Sequence, residues 1–213
     1  MRLRVFAAIM TAGILVGSYC SAEGSPFEVG AKIGINGAGV WGEGADEWGS
    51  RSGLCLGGLA AYRANRLFGV QGELLYTRKG ARLEGADTTE LRIDYLEIPV
   101  LFRLSTVGGG SFCCIPMPGG RRTDLYLGPA LGIKVGSSIK TQSGGVTTEE
   151  DADVKTLDVE AAIGVSTGYG SETFFAFADF RFTVGLLSVY TLPSGSDVTN
   201  YAASMAMGIA FTK

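Results

Sequence analysis

The chain has 213 residues, with 18 Lys and Arg, 21 Asp and Glu, four Cys, 33 Gly and no His. Without histidine there is no Ser-His-Asp or Cys-His catalysis and no histidine metal ligand. A net charge of −3 argues against nucleic acid as the main partner, because phosphate binding needs clustered Lys and Arg. The length suits one domain, or one domain plus a removable segment.

Residues 1–22 read as that removable segment. Arg2 and Arg4 form a basic start, an apolar run follows from Val5 to Gly17, and Cys20 and Ala22 occupy the −3 and −1 positions of a small-x-small cleavage site. The run is shorter than the ~20 residues of a spanning helix. A lipid anchor on Cys20 would place Tyr19 where a small residue belongs, so a secretory signal cut after Ala22 is the reading adopted, with residues 23–213 as the domain. The cysteines then left are Cys55, Cys113 and Cys114, an odd set with an adjacent pair, which is no disulfide framework.

From residue 27 onward the apolar pattern has period two. In 27–36, Phe27, Val29, Ala31, Ile33 and Ile35 alternate with Glu28, Gly30, Lys32, Gly34 and Asn36. Segments 53–63 and 67–78 follow suit, with Arg63, Gln71 and Glu73 on their polar faces. Segment 89–104 changes phase: Leu91, Ile93 and Tyr95 are odd, whereas Leu96, Ile98, Val100 and Phe102 are even. A β-bulge near Tyr95 is expected, putting Arg92, Asp94, Glu97 and Arg103 on one polar face. Alternation continues through 125–135, 156–169, 173–184 and 200–212; in the last, Tyr201, Ala203, Met205, Met207, Ile209 and Phe211 form the larger apolar face. Tight turns at 64–66 and 170–172 alternate with long connections at 37–51, 79–88, 136–155 and 185–199. The expected fold is all-β: an eight-stranded antiparallel up-and-down transmembrane β-barrel.

A soluble lipocalin-type barrel would turn its apolar face inward, and a membrane barrel turns it outward. The aromatic residues separate the two. Phe27, Tyr62, Phe68, Phe102, Tyr169, Phe174 and Phe211 lie at the short-turn ends, while Tyr76, Tyr95, Phe182 and Tyr201 lie towards the long loops. Two aromatic rings around an apolar band mark two membrane interfaces. The polar faces, with near-balanced acids and bases, then become the lumen. Glu73, Arg92, Asp94, Glu97, Arg103, Asp179 and Arg181 are expected to form a charged network inside it, because an unpaired buried ion costs several kcal/mol.

The segments QGELLYTRKG (71–80), IDYLEIPVLFR (93–103) and YLGPALGIKV (126–135) resemble the PorT-type outer-membrane β-barrel domain family. The resemblance covers residues 27–211 and implies a small barrel in the outer membrane of a Gram-negative bacterium, most such proteins having no assigned activity. One branch is linked to a protein-secretion system, and no feature here selects it. The connection 105–123, with Cys113 and Cys114, is longer than the family's usual periplasmic turn.

The leading functional expectation is a structural or interaction barrel that displays four loops outside the cell. Its partners would be outer-membrane lipid, the barrel-assembly machinery and an unnamed extracellular or secretion-system protein. No catalytic residue, cofactor or metal site is expected. Trp41 and Trp48 either serve recognition or pack within their loop, and the acidic run 149–153 either binds a divalent cation or is simply solvated. The competing classes are an outer-membrane enzyme using a carboxylate pair such as Glu73 and Glu97, and a soluble ligand-binding barrel.

Overall fold

The computed structural model describes residues 27–45, 47–65, 67–85, 88–107, 121–143, 146–152, 154–170, 173–191 and 195–212. The expected signal segment 1–22 and the pair Cys113–Cys114 lie outside these residues. Strands β1 (Phe27–Trp41), β2 (Trp48–Arg63), β3 (Phe68–Glu84), β4 (Thr88–Val107), β5 (Arg121–Ser143), β7 (Leu157–Gly170), β8 (Phe174–Gly185) and β10 (Asp197–Thr212) pair in that order. All the pairings are antiparallel, and β1 pairs β10 from Glu28–Thr212 to Trp41–Thr199, which closes the eight-stranded barrel. Two short strands, β6 (Val146–Glu150) on β5 and β9 (Tyr190–Thr191) on β10, lie in the long connections.

Burial settles which face points outward. Ile33, Ile35, Leu127, Ile163 and Met205 are exposed, and Met207 is 72% exposed, while Glu28, Lys32, Glu73, Asp179 and Arg181 are buried. An exposed apolar band around a charged interior is the pattern of a membrane barrel and the inverse of a soluble one. The ring Phe27, Tyr62, Phe68, Phe102, Tyr169, Phe174 and Phe211 is exposed at the short-turn end, with Phe27 tilted against Tyr62 at 5.0 Å between ring centres and Phe174 against Phe211 at 5.6 Å. At the 64–66 turn, Asn65 Oδ1 accepts from Leu67 N and Phe68 N, both at 2.8 Å, so the side chain caps the reversal.

The phase of β4 differs from the sequence expectation. Its odd residues point inward throughout, so Leu91, Ile93 and Tyr95 lie inside with Glu97, Leu101 and Arg103. Arg92 and Asp94 therefore face the outer wall and not the lumen. Tyr95 is 0% exposed and is no part of the upper aromatic ring. The bulge exists, but on the neighbouring strand: Asp94 pairs Gly136 while Tyr95 pairs Lys134, so Val135 of β5 is the extra residue. A second irregularity between Ser50 and Cys55 of β2 flips that strand's phase, and Trp48 turns inward.

Candidate functional site

The lumen is filled by side chains in tiers. At the short-turn end, Glu28 of β1 accepts from Arg122 Nη1 at 2.5 Å and from Arg103 Nη1 at 3.1 Å, and also pairs with Arg63. Asp124 pairs with Arg103 and accepts from Arg122 Nε at 3.0 Å. The Arg122 guanidinium lies 4.0 Å from the centre of the Phe175 ring, which desolvates one of its faces.

The middle tier centres on Glu73. Arg181 donates to both its oxygens, at 2.8 and 2.7 Å, and Lys32 Nζ lies 3.1 Å away. Gln71 donates to the same carboxylate, and Lys32 also reaches Asp179 at 3.3 Å. Tyr126 OH donates to Asp179 Oδ2 at 2.8 Å and accepts from Arg181 Nε at 3.3 Å. These long groups fit because glycines face them: a Cβ on Gly164 would lie 2.4 Å from Tyr126 OH, and one on Gly208 would lie 2.4 Å from Phe177 Cζ. The space between the two lower tiers, lined by Gln71, Arg103, Tyr126, Ser166 and Asp179, is of water size.

In the upper tier Lys79 Nζ pairs with Glu160 and lies 2.7 Å from Glu97 Oε1, an ion pair without hydrogen-bond alignment. Asn200 donates to Asp158 across the β7–β10 side of the lumen. Above this tier the lumen turns apolar. Leu91, Ile93 and Tyr95 pack against Ala152, Val154 and Val189, and a second cluster joins Val40, Ala45, Ala81 and Val198. Trp48 and Tyr190 pack against both clusters. The incoming segments are pinned by backbone acceptors: Ser137 Oγ donates to Ala152 O at 2.8 Å, Lys134 Nζ to Val154 O, and Val189 N to Val198 O at 2.9 Å. The long connections thus fold a hydrophobic lid into the barrel mouth.

Of the residues singled out from sequence, Glu73, Glu97, Arg103, Asp179 and Arg181 point into the lumen. Arg92 and Asp94 are outside it: Arg92 Nη2 donates to Glu90 at 3.0 Å, and Asp94 accepts from Arg78 Nε at 2.8 Å. Glu28, Lys32, Arg63, Gln71, Lys79, Arg122, Asp124, Tyr126, Asp158, Glu160 and Asn200 join them in the network and lie outside that set. The signal for Lys79 was available, since it continues the odd phase of Gln71 and Glu73; Arg122 and Asp124 likewise continue the even phase of Tyr126. The two tryptophans divide, Trp48 into the lid and Trp41 outward at 59% exposure. In the acidic run Glu149 pairs with Lys140 at 3.0 Å, and hydrogen bonds from Lys140 and Ser138 hold its carboxyl below the usual range. Asp153 lies outside the described residues.

Residues 18–191 match the model of the outer membrane protein beta-barrel domain family. The chain belongs to that family. It is a small outer-membrane β-barrel, and its location is the outer membrane of a Gram-negative cell. Among solved structures, it is similar to Neisserial surface protein A (NspA), with 19% identity over 90% of this chain and 100% of that one and a TM-score of 0.48. It is also similar to Ail, the attachment invasion locus protein of Yersinia pestis, at 17% identity over 86% and 98% with a TM-score of 0.43. The outer membrane protein OprG of Pseudomonas aeruginosa gives 12% identity over 89% and 98% with a TM-score of 0.47. No curated protein matches the sequence significantly.

Proposed function

We propose that the protein is a closed barrel with a structural or interaction role, neither a diffusion pore nor an enzyme. The observation that carries this reading is the continuity of the filling. Ion pairs join Glu28, Arg103, Arg122 and Asp124, then Lys32, Glu73, Asp179 and Arg181, then Lys79, Glu97 and Glu160. An apolar lid follows directly above them. An eight-stranded barrel has an interior only wide enough for side chains, so each charge must find its partner within it.

The carboxylates that an acid–base mechanism would need, Glu73 and Glu97, are each committed to lumen cations. What such a barrel offers the cell is its outer wall and its long loops. Lipid, the assembly machinery and an extracellular or secretion-system protein are the partners proposed, and kinship with the PorT-type branch belongs to the same proposal. Liposome swelling tests the reading. Vesicles loaded with folded protein should admit small sugars no faster than empty vesicles, and rapid uptake would reject a closed lumen.

A further inference from the structure

The outward positions of β1, β7 and β8 carry no charged residue anywhere along their length. Among the described side chains, outward charges of the barrel wall gather mainly on one sector, at the loop ends of β2, β3 and β4, with Asp197 of β10 apart from it. Arg78 pairs with Asp94 at 2.8 Å, and Arg51 and Arg92 share Glu90 at 3.7 and 3.0 Å. Arg82 sits opposite Glu90 in the β3–β4 register. Among the described residues, four guanidiniums thus surround two carboxylates, and the adjacent Lys140 and Glu149 pair with each other at 3.0 Å. Two donors, Arg51 Nη1 and Arg92 Nε, are buried without a hydrogen-bond partner.

The height of the cluster identifies its ligand. Arg78 lies two residues above Tyr76 on β3 and donates to Tyr76 OH at 3.1 Å. An outward tyrosine near the loop end marks the membrane–water interface, and two residues of strand rise about 7 Å above it. Arg78 therefore stands at the level of the outer-leaflet headgroups, above the lipid-facing Leu74, Ile98 and Val100, with Arg92 and Arg82 further towards the loops. In a Gram-negative outer leaflet those headgroups are phosphorylated glycolipids.

We infer that this sector is a binding site for a phosphate group of the outer-leaflet glycolipid, held by Arg51, Arg78, Arg82 and Arg92. Arginine suits the task because its planar fork bonds phosphate oxygens in pairs and is less strongly hydrated than lysine. A phosphomonoester carries about −1.5 to −2 charge and three strong acceptor oxygens, which suit a cluster of guanidinium donors. The acyl chains of the same lipid would cover the apolar wall below. The inference rests on the outer-membrane placement and is independent of whether the lumen is closed.

The test uses the folded full-length barrel in detergent with EDTA present, so that divalent ions cannot bridge Glu90 or Asp94 to phosphate. Native mass spectrometry and thermal unfolding are read against diphosphoryl lipid A, dephosphorylated lipid A and inorganic phosphate. Diphosphoryl lipid A should form a one-to-one adduct and raise the unfolding midpoint, and dephosphorylated lipid A should bind at least tenfold more weakly. The variant Arg51→Gln/Arg92→Gln should lose at least tenfold in affinity, whereas Lys155→Gln, whose Nζ donates to Ser188 outside the cluster, should not. Equal binding of the two lipid A forms, unchanged binding by the arginine variant, or an equal shift from inorganic phosphate alone would each overturn the proposal. Should the double variant fail to fold, the comparison of the two lipids on the wild-type barrel still decides.

Discussion

Arg181 of β8 grips both oxygens of the Glu73 carboxylate on β3, at 2.8 and 2.7 Å, across 108 residues of sequence. Both side chains are almost wholly buried, and Lys32 and Gln71 crowd the same carboxylate. Breaking such a pair from one side leaves uncompensated charge in the lumen, which costs about 3–5 kcal/mol. Glu73→Ala should therefore lower stability by about that amount in urea titrations of the vesicle-inserted barrel. Replacing both partners by apolar residues, as in Glu73→Leu/Arg181→Met, should cost less than the single change.

Arg92 provides the matched contrast. It lies on the outer wall, partly exposed, and pairs with Glu90. Exposed pairs contribute about 0–1 kcal/mol. Arg92→Ala should leave the urea midpoint nearly unchanged, and a loss as large as that of Glu73→Ala would return Arg92 to the lumen.

The two faces of β10 should respond to arginine for different reasons and to different extents. Met207→Arg places a charge in the middle of the lipid band and should cost about 2–4 kcal/mol, whereas Phe211→Arg at the interface should cost about 0–1 kcal/mol. Ala206 points inward, and its Cα lies 2.5 Å from where a Gly34 Cβ would stand. Ala206→Arg should block folding, seen as loss of the heat-modifiable band on gels, because the lumen holds no room for it.

Cys55 reports on closure from inside. Its thiol faces the lumen and is buried. In a Cys113→Ser/Cys114→Ser background, a maleimide reagent should label Cys55 only after unfolding. Fast labelling of the native barrel would mean that solvent channels reach the second tier.

Processing follows from the first residues. The intact mass of membrane-fraction protein should correspond to a chain beginning at Glu23. A mass that includes Met1, or a lipid adduct on Cys20, would contradict the secretory reading.

Strand existence and orientation were legible because lipid imposes one rule along the whole wall: Met205, Met207 and Ile209 must be apolar, while Ala206 need not be. The rule misled at Leu91, Ile93 and Tyr95. There the strand rises towards the mouth, and its inward face meets a lid of Ala152, Val154 and Val189. Apolar side chains against a lid look the same in sequence as apolar side chains against lipid, so periodicity alone assigns β4 the opposite phase near its loop end and points Arg92 and Asp94 inward. Lys79, Arg122 and Asp124 lie where apolar periodicity fades, so it does not mark them, although the polar phase runs on through them. The pairing of charges across the lumen was not legible at all. Phase gives a residue's face, but its partner on the opposite wall depends on the stagger of the closed barrel.

Planar-bilayer recording on the purified, folded monomer addresses the closed lumen most directly. A barrel filled by three tiers of ion pairs beneath an apolar lid should show a baseline without steady openings under applied voltage, in both orientations. A stable, large single-channel conductance from the wild-type monomer would contradict it.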